Sequence, residues 1–211
     1  MIRMVDWMRK QDAYWKENLP YIQRNSNFDF ELGVKAWNTI LDGIDCLKIQ
    51  SVLDCGSNIG RNIGYLMDER LLINRDFTAL DINIDALNIL KSKHPNVQTL
   101  EANLIDFDSS ETYDLVFTSG VLIHIHPDNL KKVFDRLMLC TKKYLILIEY
   151  FSRTITEIVY HGQSELLWKR DYGKDFMKHS NWKVVSYGFL WGQEFDDCGF
   201  DDCNYWVFER N

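Results

Sequence analysis

A chain of 211 residues, 46% hydrophobic and 26% charged, can fill one core and is short for two; its composition excludes disordered and fibrous classes. The formal charge of −7 argues against general binding to polyanions, since affinity for phosphate backbones comes from clustered Lys and Arg, and favours a small neutral or cationic substrate. Five scattered cysteines read as free thiols of a reducing compartment, and no apolar run approaches the roughly 20 residues of a membrane span.

The N-terminus also lacks a signal-peptide apolar core, so the expected location is cytoplasmic. Residues 1–48 read as a helical cap, with Met4, Trp7, Met8, Trp15 and Leu19 and then Leu32, Trp37, Ile40, Leu41 and Ile44 near three-and-four spacing. A polar break at Tyr21-Ile22-Gln23-Arg24-Asn25 divides the two runs. The cap has two possible uses: to cover one edge of a sheet, or to close over a ligand with Tyr21, Arg24 and Asn25 reaching inward.

The stretch from Ser51 to Gly60 is the centre of the chain. Ser51-Val52-Leu53-Asp54-Cys55 has the apolar character of a buried parallel strand with a carboxylate near its end. Gly56-Ser57-Asn58-Ile59-Gly60 is a glycine-bearing turn, and Arg61 to Met67 enters a helical pattern. A strand, turn and helix of this kind hold a nucleoside, because glycine lets the backbone lie against a ligand and the helix start offers unpaired N–H groups. Asn58 and Arg61 stand where a dinucleotide fingerprint wants its second and third glycines. Asp54 would repel a pyrophosphate in a partly desolvated turn but suits a ligand that carries an ammonium and a sulfonium, as S-adenosylmethionine (SAM) does.

Alternating strands and helices follow, which means a mainly parallel sheet with helices on both faces. The second strand, Phe77 to Leu80, ends at Asp81, at the spacing where an acidic residue takes ribose hydroxyls. Asn83 and Asp85 cap a helix that Pro95 stops. Val97 to Leu100 is the third strand, and residues 103–110 are too short for a crossover helix before the fourth, Tyr113 to Thr118. A helix starts at Pro127 and carries Leu130, Val133, Phe134, Leu137 and Met138 inward. Tyr144 to Glu149 is the apolar, central fifth strand. Residues 150–170 look irregular and too long for a plain connector, and long segments beyond the carboxyl ends of parallel strands hold substrates. A helix near 171–178 then leads to an antiparallel hairpin, Trp182 to Trp191 and Asn204 to Glu209, around an acidic tip at 194–202 expected to be solvated. One domain is expected: a cap at 1–48, a cofactor core at 49–150, a substrate loop and helix at 151–180, and a C-terminal hairpin at 181–211.

This order of parts resembles the class I SAM-dependent methyltransferases, which implies a Rossmann-like α/β sheet of seven strands with the last antiparallel. Residues 21–25, 52–62 and 114–130, with Glu149-Tyr150 and Lys169-Arg170-Asp171, are similar to the methylases found with pseudaminic acid biosynthesis genes. That family name reports gene neighbourhood and leaves the substrate open. The resemblance implies SAM as cofactor, with S-adenosylhomocysteine (SAH) as product. Asp54, Gly56, Ser57, Asn58 and Gly60 would line its methionine part, and Tyr21 and Arg24 from the cap would also reach the cofactor. Asp81 would take the ribose hydroxyls, Ile82, Asn103 and Leu104 would meet the adenine, and Ser119 and Gly120 would lie beside the methyl-bearing sulfur.

Methyl transfer is an in-line displacement, so a general base is needed only where the acceptor is protonated. His124, just past the fourth strand, is the first candidate base, with packing under the following helix as its other use. Tyr150 is the second candidate. Tyr160 and His161 are candidates for shaping the acceptor pocket, and Lys169 and Arg170 for holding a phosphate or sugar carboxylate, with a solvated surface as their other reading. No metal site is expected, because the acidic tip lacks the spacing of a calcium loop. A small-molecule acceptor follows, in particular a hydroxyl or amino group of a sugar or nucleotide-sugar; the alternatives are a protein or other metabolite, or a non-catalytic SAM-binding partner. Nucleic acid is disfavoured by the charge and by the absence of an Asp-Pro-Pro-Tyr-like segment after the fourth strand.

Overall fold

The computed structural model describes residues 13–16, 28–108 and 110–211. Tyr21, Arg24 and Asn25, with the first apolar run apart from Trp15, lie outside the described residues. The main sheet among those described contains β1 (Ser51–Cys55), β2 (Asp76–Asp81), β3 (Gln98–Glu101), β4 (Tyr113–Ser119) and β5 (Thr141–Tyr150). After a two-stranded ribbon of β6 (Thr156–Glu157) and β7 (Trp168–Lys169) it is completed by β8 (Lys183–Leu190) and β9 (Cys203–Glu209). Its order is β3-β2-β1-β4-β5-β9-β8; the first five strands run parallel, and β9 is antiparallel to both β5 and β8. The chain reverses its direction of travel across the sheet between β1 and β4, which opens a crevice at their carboxyl ends.

Side chains of the central strands alternate between two helical layers, as the period of two requires. Val52, Leu115, Phe117, Ile146 and Ile148 pack with Trp37 and Ile40 of α1 (Phe30–Ile40), Ile63 and Leu66 of α2 (Arg61–Leu66) and Leu87 and Leu90 of α3 (Ile84–Lys93). Leu53, Val116, Leu145 and Leu147 pack on the other side. There they meet the Leu130, Val133, Phe134 and Leu137 stripe of α4 (Leu130–Cys140) and Tyr172 and Phe176 of α5 (Tyr172–His179).

Local chemistry sets the helix starts. Asp29, Asn83 and Asp171 each accept a hydrogen bond from an amide of the first turn, from Leu32 at 2.9 Å, Ala86 at 3.0 Å and Lys174 at 2.9 Å. Pro127 opens a single 3₁₀ turn, Pro127–Asn129, that leads into α4.

Two expectations are corrected. Residues 150–170 are not irregular throughout: β6 and β7 pair, Tyr160 bridges to Gln163, and Leu166, Leu167 and Trp168 are buried. The acidic tip is not a solvated turn. It holds a short helix, α6 (Gly192–Phe195), and a 3₁₀ turn, and it drives Phe195, Cys198 and Phe200 into the α1 layer. The Tyr65 hydroxyl donates to the Cys198 carbonyl at 3.2 Å, and Lys35 pairs with Glu194 at 2.6 Å. The charges face water because the aromatic residues between them do not.

Candidate functional site

The crevice predicted by the strand order is a cleft partly open to solvent at the carboxyl ends of the parallel strands. Gly56 and Asn58 form one wall, Asp81, Ile82 and Asn83 the next, and residues 102–105 a third; Ser119, Gly120, Val121, His124 and Ile125 close the far side.

Gly56 has φ of +86°, and a Cβ there would lie 2.3 Å from Val121 Cγ2, so only glycine brings the turn against the β4 loop. Asn58 also takes a positive φ, 48°, and its amide donates to Asp81 Oδ2 at 2.7 Å. The Asn83 amide donates to Asp81 Oδ1 at 2.9 Å. The Asp81 carboxylate is thereby held at the cleft wall; burial raises its pKa, and these amide bonds oppose the rise.

Asp54 lies beneath this wall, 1% exposed. Neither carboxylate oxygen has a hydrogen-bond partner among the described residues, nor has the buried Ser57 hydroxyl. Burial first, and the Asp81 charge second, push Asp54 well above the ordinary carboxylate range, while Arg61 pulls the other way. One buried carboxylate, Asp54, and one half-buried, Asp81, with no lysine or arginine among the cleft's described lining residues, form a site for a cation with hydroxyl groups. A SAM molecule carries both, and Asp54, Asp81 and the turn between them fit it.

Gly60 has a packing role. It caps α2 with φ of +81°, and its missing Cβ makes room for Leu90, whose Cγ would be 2.8 Å away. Asn103 accepts from the Ile105 amide at 2.9 Å, and with Leu104 it lines the cleft between β3 and β4.

His124 lines the cleft, and its Nδ1 lies 2.7 Å from the Leu166 carbonyl. A carbonyl only accepts, so Nδ1 carries the proton and Nε2 keeps the lone pair. Burial pulls its pKa down to about 4, so the ring is neutral across the physiological range. Its centroid lies 4.2 Å from that of Trp15 and 5.4 Å from that of Tyr160. Trp15, on a helical turn at 13–16, also lines the cleft, and Asn83 Nδ2 donates to its carbonyl at 3.0 Å. The described 13–16 turn of the N-terminal cap therefore sits over the cleft, whereas α1 packs on the sheet.

Other expected residues stand elsewhere. Tyr150 is not among the described lining residues; it ends β5 between the two apolar layers, with Lys169 Nζ 4.7 Å from its ring centroid. Arg170 is not an open anion clamp, because its guanidinium pairs with Asp175 of α5 at 2.5 Å, largely buried. Tyr160 stands behind His124, and His161 stacks on it at 4.3 Å on an exposed turn. The motif reading missed Trp15, Val121 and Glu149. Glu149 had a signal, a lone carboxylate closing the apolar run Leu145-Ile146-Leu147-Ile148, whereas Trp15 had none beyond being aromatic.

Sheet order, antiparallel β9 and the placement of the cleft define a Rossmann-like fold, that of the class I SAM-dependent methyltransferases. Residues 52–143 match a protein family described as a methyltransferase domain. A tRNA U34 carboxymethyltransferase of Vibrio atlanticus (strain LGP32) is 27% identical over 143 residues, 65% of this chain. The match spans 44% of that relative, less than half its length. Among solved structures, a SAM-dependent methyltransferase of Leishmania major superposes with a TM-score of 0.73 at 17% identity, covering 97% of this chain and 83% of that one. The N-methyltransferase NodS of Bradyrhizobium japonicum WM9, in complex with SAH, gives 0.65 at 14%, covering 96% and 97%. A Burkholderia thailandensis 1,6-didemethyltoxoflavin-N1-methyltransferase with SAH gives 0.66 at 14%, covering 87% and 80%. At these identities the likeness is one of fold. Among the described residues no helix is long and apolar enough to cross a membrane, and no His, Cys, Asp and Glu cluster could hold a metal.

Proposed function

We propose that this protein transfers the methyl group of SAM to a hydroxyl or amino group of a small molecule, a sugar or nucleotide-sugar in particular. The observation that carries the reading is the pairing of Asp54, buried beneath the cleft wall with both oxygens unpartnered among the described residues, with Asp81, held by two amides at that wall. Asp54 receives the donor's ammonium, Asp81 its ribose hydroxyls, and Ile82 and Leu104 flank the adenine. Bound there, SAM supplies an activated methyl on a positively charged sulfur. The residues' part is to orient donor and acceptor and to exclude water.

The acceptor end is formed by His124 and Trp15, whose ring centroids lie 4.2 Å apart, backed by Tyr160, 5.4 Å from His124, and Tyr14, 4.9 Å from Trp15. Flat, largely apolar rings with one imidazole lone pair suit a sugar or a planar amine, with His124 Nε2 accepting from the acceptor's hydroxyl or amino group. At about 4, its pKa favours orienting that group over removing its proton completely. The tRNA-modifying relative raises nucleic acid as an acceptor, and the charge of −7 opposes it.

Calorimetry with SAH, followed by SAH release from SAM in the presence of sugar, nucleotide-sugar, amine and tRNA acceptors, tests the reading. Tight SAH binding and turnover with a sugar nucleotide is the expected result. Turnover with tRNA alone would overturn the acceptor, and no SAH binding would overturn the cofactor.

A further inference from the structure

We propose that Glu149 is the positioning residue of the cleft: its carboxylate grips the Thr118 hydroxyl and the amides of Val121, Leu122 and Ile123, and the wall bearing Ser119, Gly120 and His124 keeps its shape only while Glu149 is ionised. The side chain is 0% exposed at the end of β5. Glu149 Oε1 accepts from Thr118 Oγ1 at 2.8 Å, from the Val121 amide at 3.2 Å and from the Leu122 amide at 3.1 Å, and Oε2 accepts from the Ile123 amide at 3.3 Å. Every one of these partners is a donor. An ionised carboxylate satisfies all four; a protonated one turns its own O–H toward a donor and leaves at least one buried N–H unpaired.

The loop so held meets the β1–α2 turn, carries His124 and contacts α5. Val121 packs against Gly56, the His124 amide donates to the Val121 carbonyl at 2.9 Å, and the Tyr172 hydroxyl donates to the Leu122 carbonyl at 3.2 Å. A loosened loop therefore shifts both the cofactor turn and His124.

Burial raises Glu149 to about 7, against which its four hydrogen bonds work, so its proton comes and goes near neutrality. The titratable groups around it stay neutral there. Tyr172 of α5 is pushed up by burial and by the Glu149 charge, and Cys203 of β9 is pushed up to about 12 by the same causes. His124 on the loop is pulled down to about 4, and β4 contributes only the Thr118 hydroxyl. No lysine or arginine is among the causes that set its pKa.

The inference rests on the crevice being the SAM cleft, and its test separates the two. In the full ¹⁵N-labelled chain, the Val121, Leu122 and Ile123 amide shifts are followed from about pH 5.5 to about pH 8.5, and SAH affinity is measured across the same range. Expected are a common midpoint near 7 in the wild type, a higher midpoint in Thr118→Val, which removes one donor that favours the ionised form, and no titration in Glu149→Gln. SAH should bind Glu149→Gln about tenfold more weakly at pH 8 than it binds the wild type. Amides that do not titrate together in the wild type, or an unmoved midpoint in Thr118→Val, would overturn the proposal, and neither requires Glu149→Gln to fold. Titration without any SAH binding would uphold Glu149's hold on the wall and overturn the cofactor reading instead.

Discussion

Asp81 has two roles that a single substitution separates. Its oxygens hold the Asn58 and Asn83 amides, and the same carboxylate faces the cleft. Asp81→Ala should weaken SAH binding by about 1 to 3 kcal/mol, the worth of charge-assisted hydrogen bonds, and Asp81→Asn should recover part of it by keeping acceptor geometry. Equal affinity of Asp81→Ala and wild type by calorimetry would remove the residue from the site. His124 makes a pH prediction. Its folded pKa of about 4 lies below the ordinary value of 6.5, so the unfolded chain takes up the proton first as pH falls. The stability tied to its neutral form is full above 6.5 and is lost as pH drops toward 4. Glu149 works oppositely in nearly the same window, since its raised pKa costs stability as pH rises toward 7. The difference between wild type and His124→Gln isolates the histidine: the variant should gain about 1 to 3 kcal/mol relative to wild type between pH 7 and pH 4.5, read by denaturant melts.

Among the elements, the turn between β1 and α2 and the loop after β4 act as one unit, pressed together where Gly56 meets Val121. Gly56→Ala adds a methyl group 2.3 Å from Val121 Cγ2 at a φ of +86°. It should destabilise the fold by about 1 to 3 kcal/mol and weaken SAH binding at least tenfold, because either the turn or the β4 loop must move. Double substitution with Val121→Ala should restore part of both, since it removes the clash but leaves the backbone strain. Additive losses in the double variant would show that the two segments are not coupled. These elements were legible from the chain because strand periodicity, glycine turns and capping residues are local. Asp54, Gly56 and Asp81 were read from such local signals, and the structure places Gly56 and Asp81 on the cleft wall. The pairing of Arg170 was not, although its partner Asp175 lies only five residues further on, in the first turn of α5: the sequence reading offered Arg170 for a phosphate or sugar carboxylate, or for a solvated surface.

Across the whole molecule, the acidic tip ties the sheet's antiparallel end to the helices behind the cofactor turn. Phe200 is 0% exposed, its ring centroid lies 6.5 Å from that of Trp37, and the Arg61 guanidinium sits 5.6 Å from its centre. Phe200→Ala should cost about 3 to 5 kcal/mol and lower Tm by roughly 10 °C, as truncation of a fully buried aromatic does. A loss below about 1 kcal/mol would mean the tip is not part of the core.

The sequence by itself determined the parallel core, the carboxylates and glycines around the turn after β1, the capped helices and the closing antiparallel strands. Each of these is encoded within a dozen neighbouring residues, in a period, a charge or a turn. Only the tertiary structure decided that Trp15 lies on His124, that Glu149 holds the β4 loop and that Phe200 fills the space beside Trp37. Those pairs are brought together by burial of apolar faces across the sheet, and that force acts between surfaces without regard to their separation along the chain.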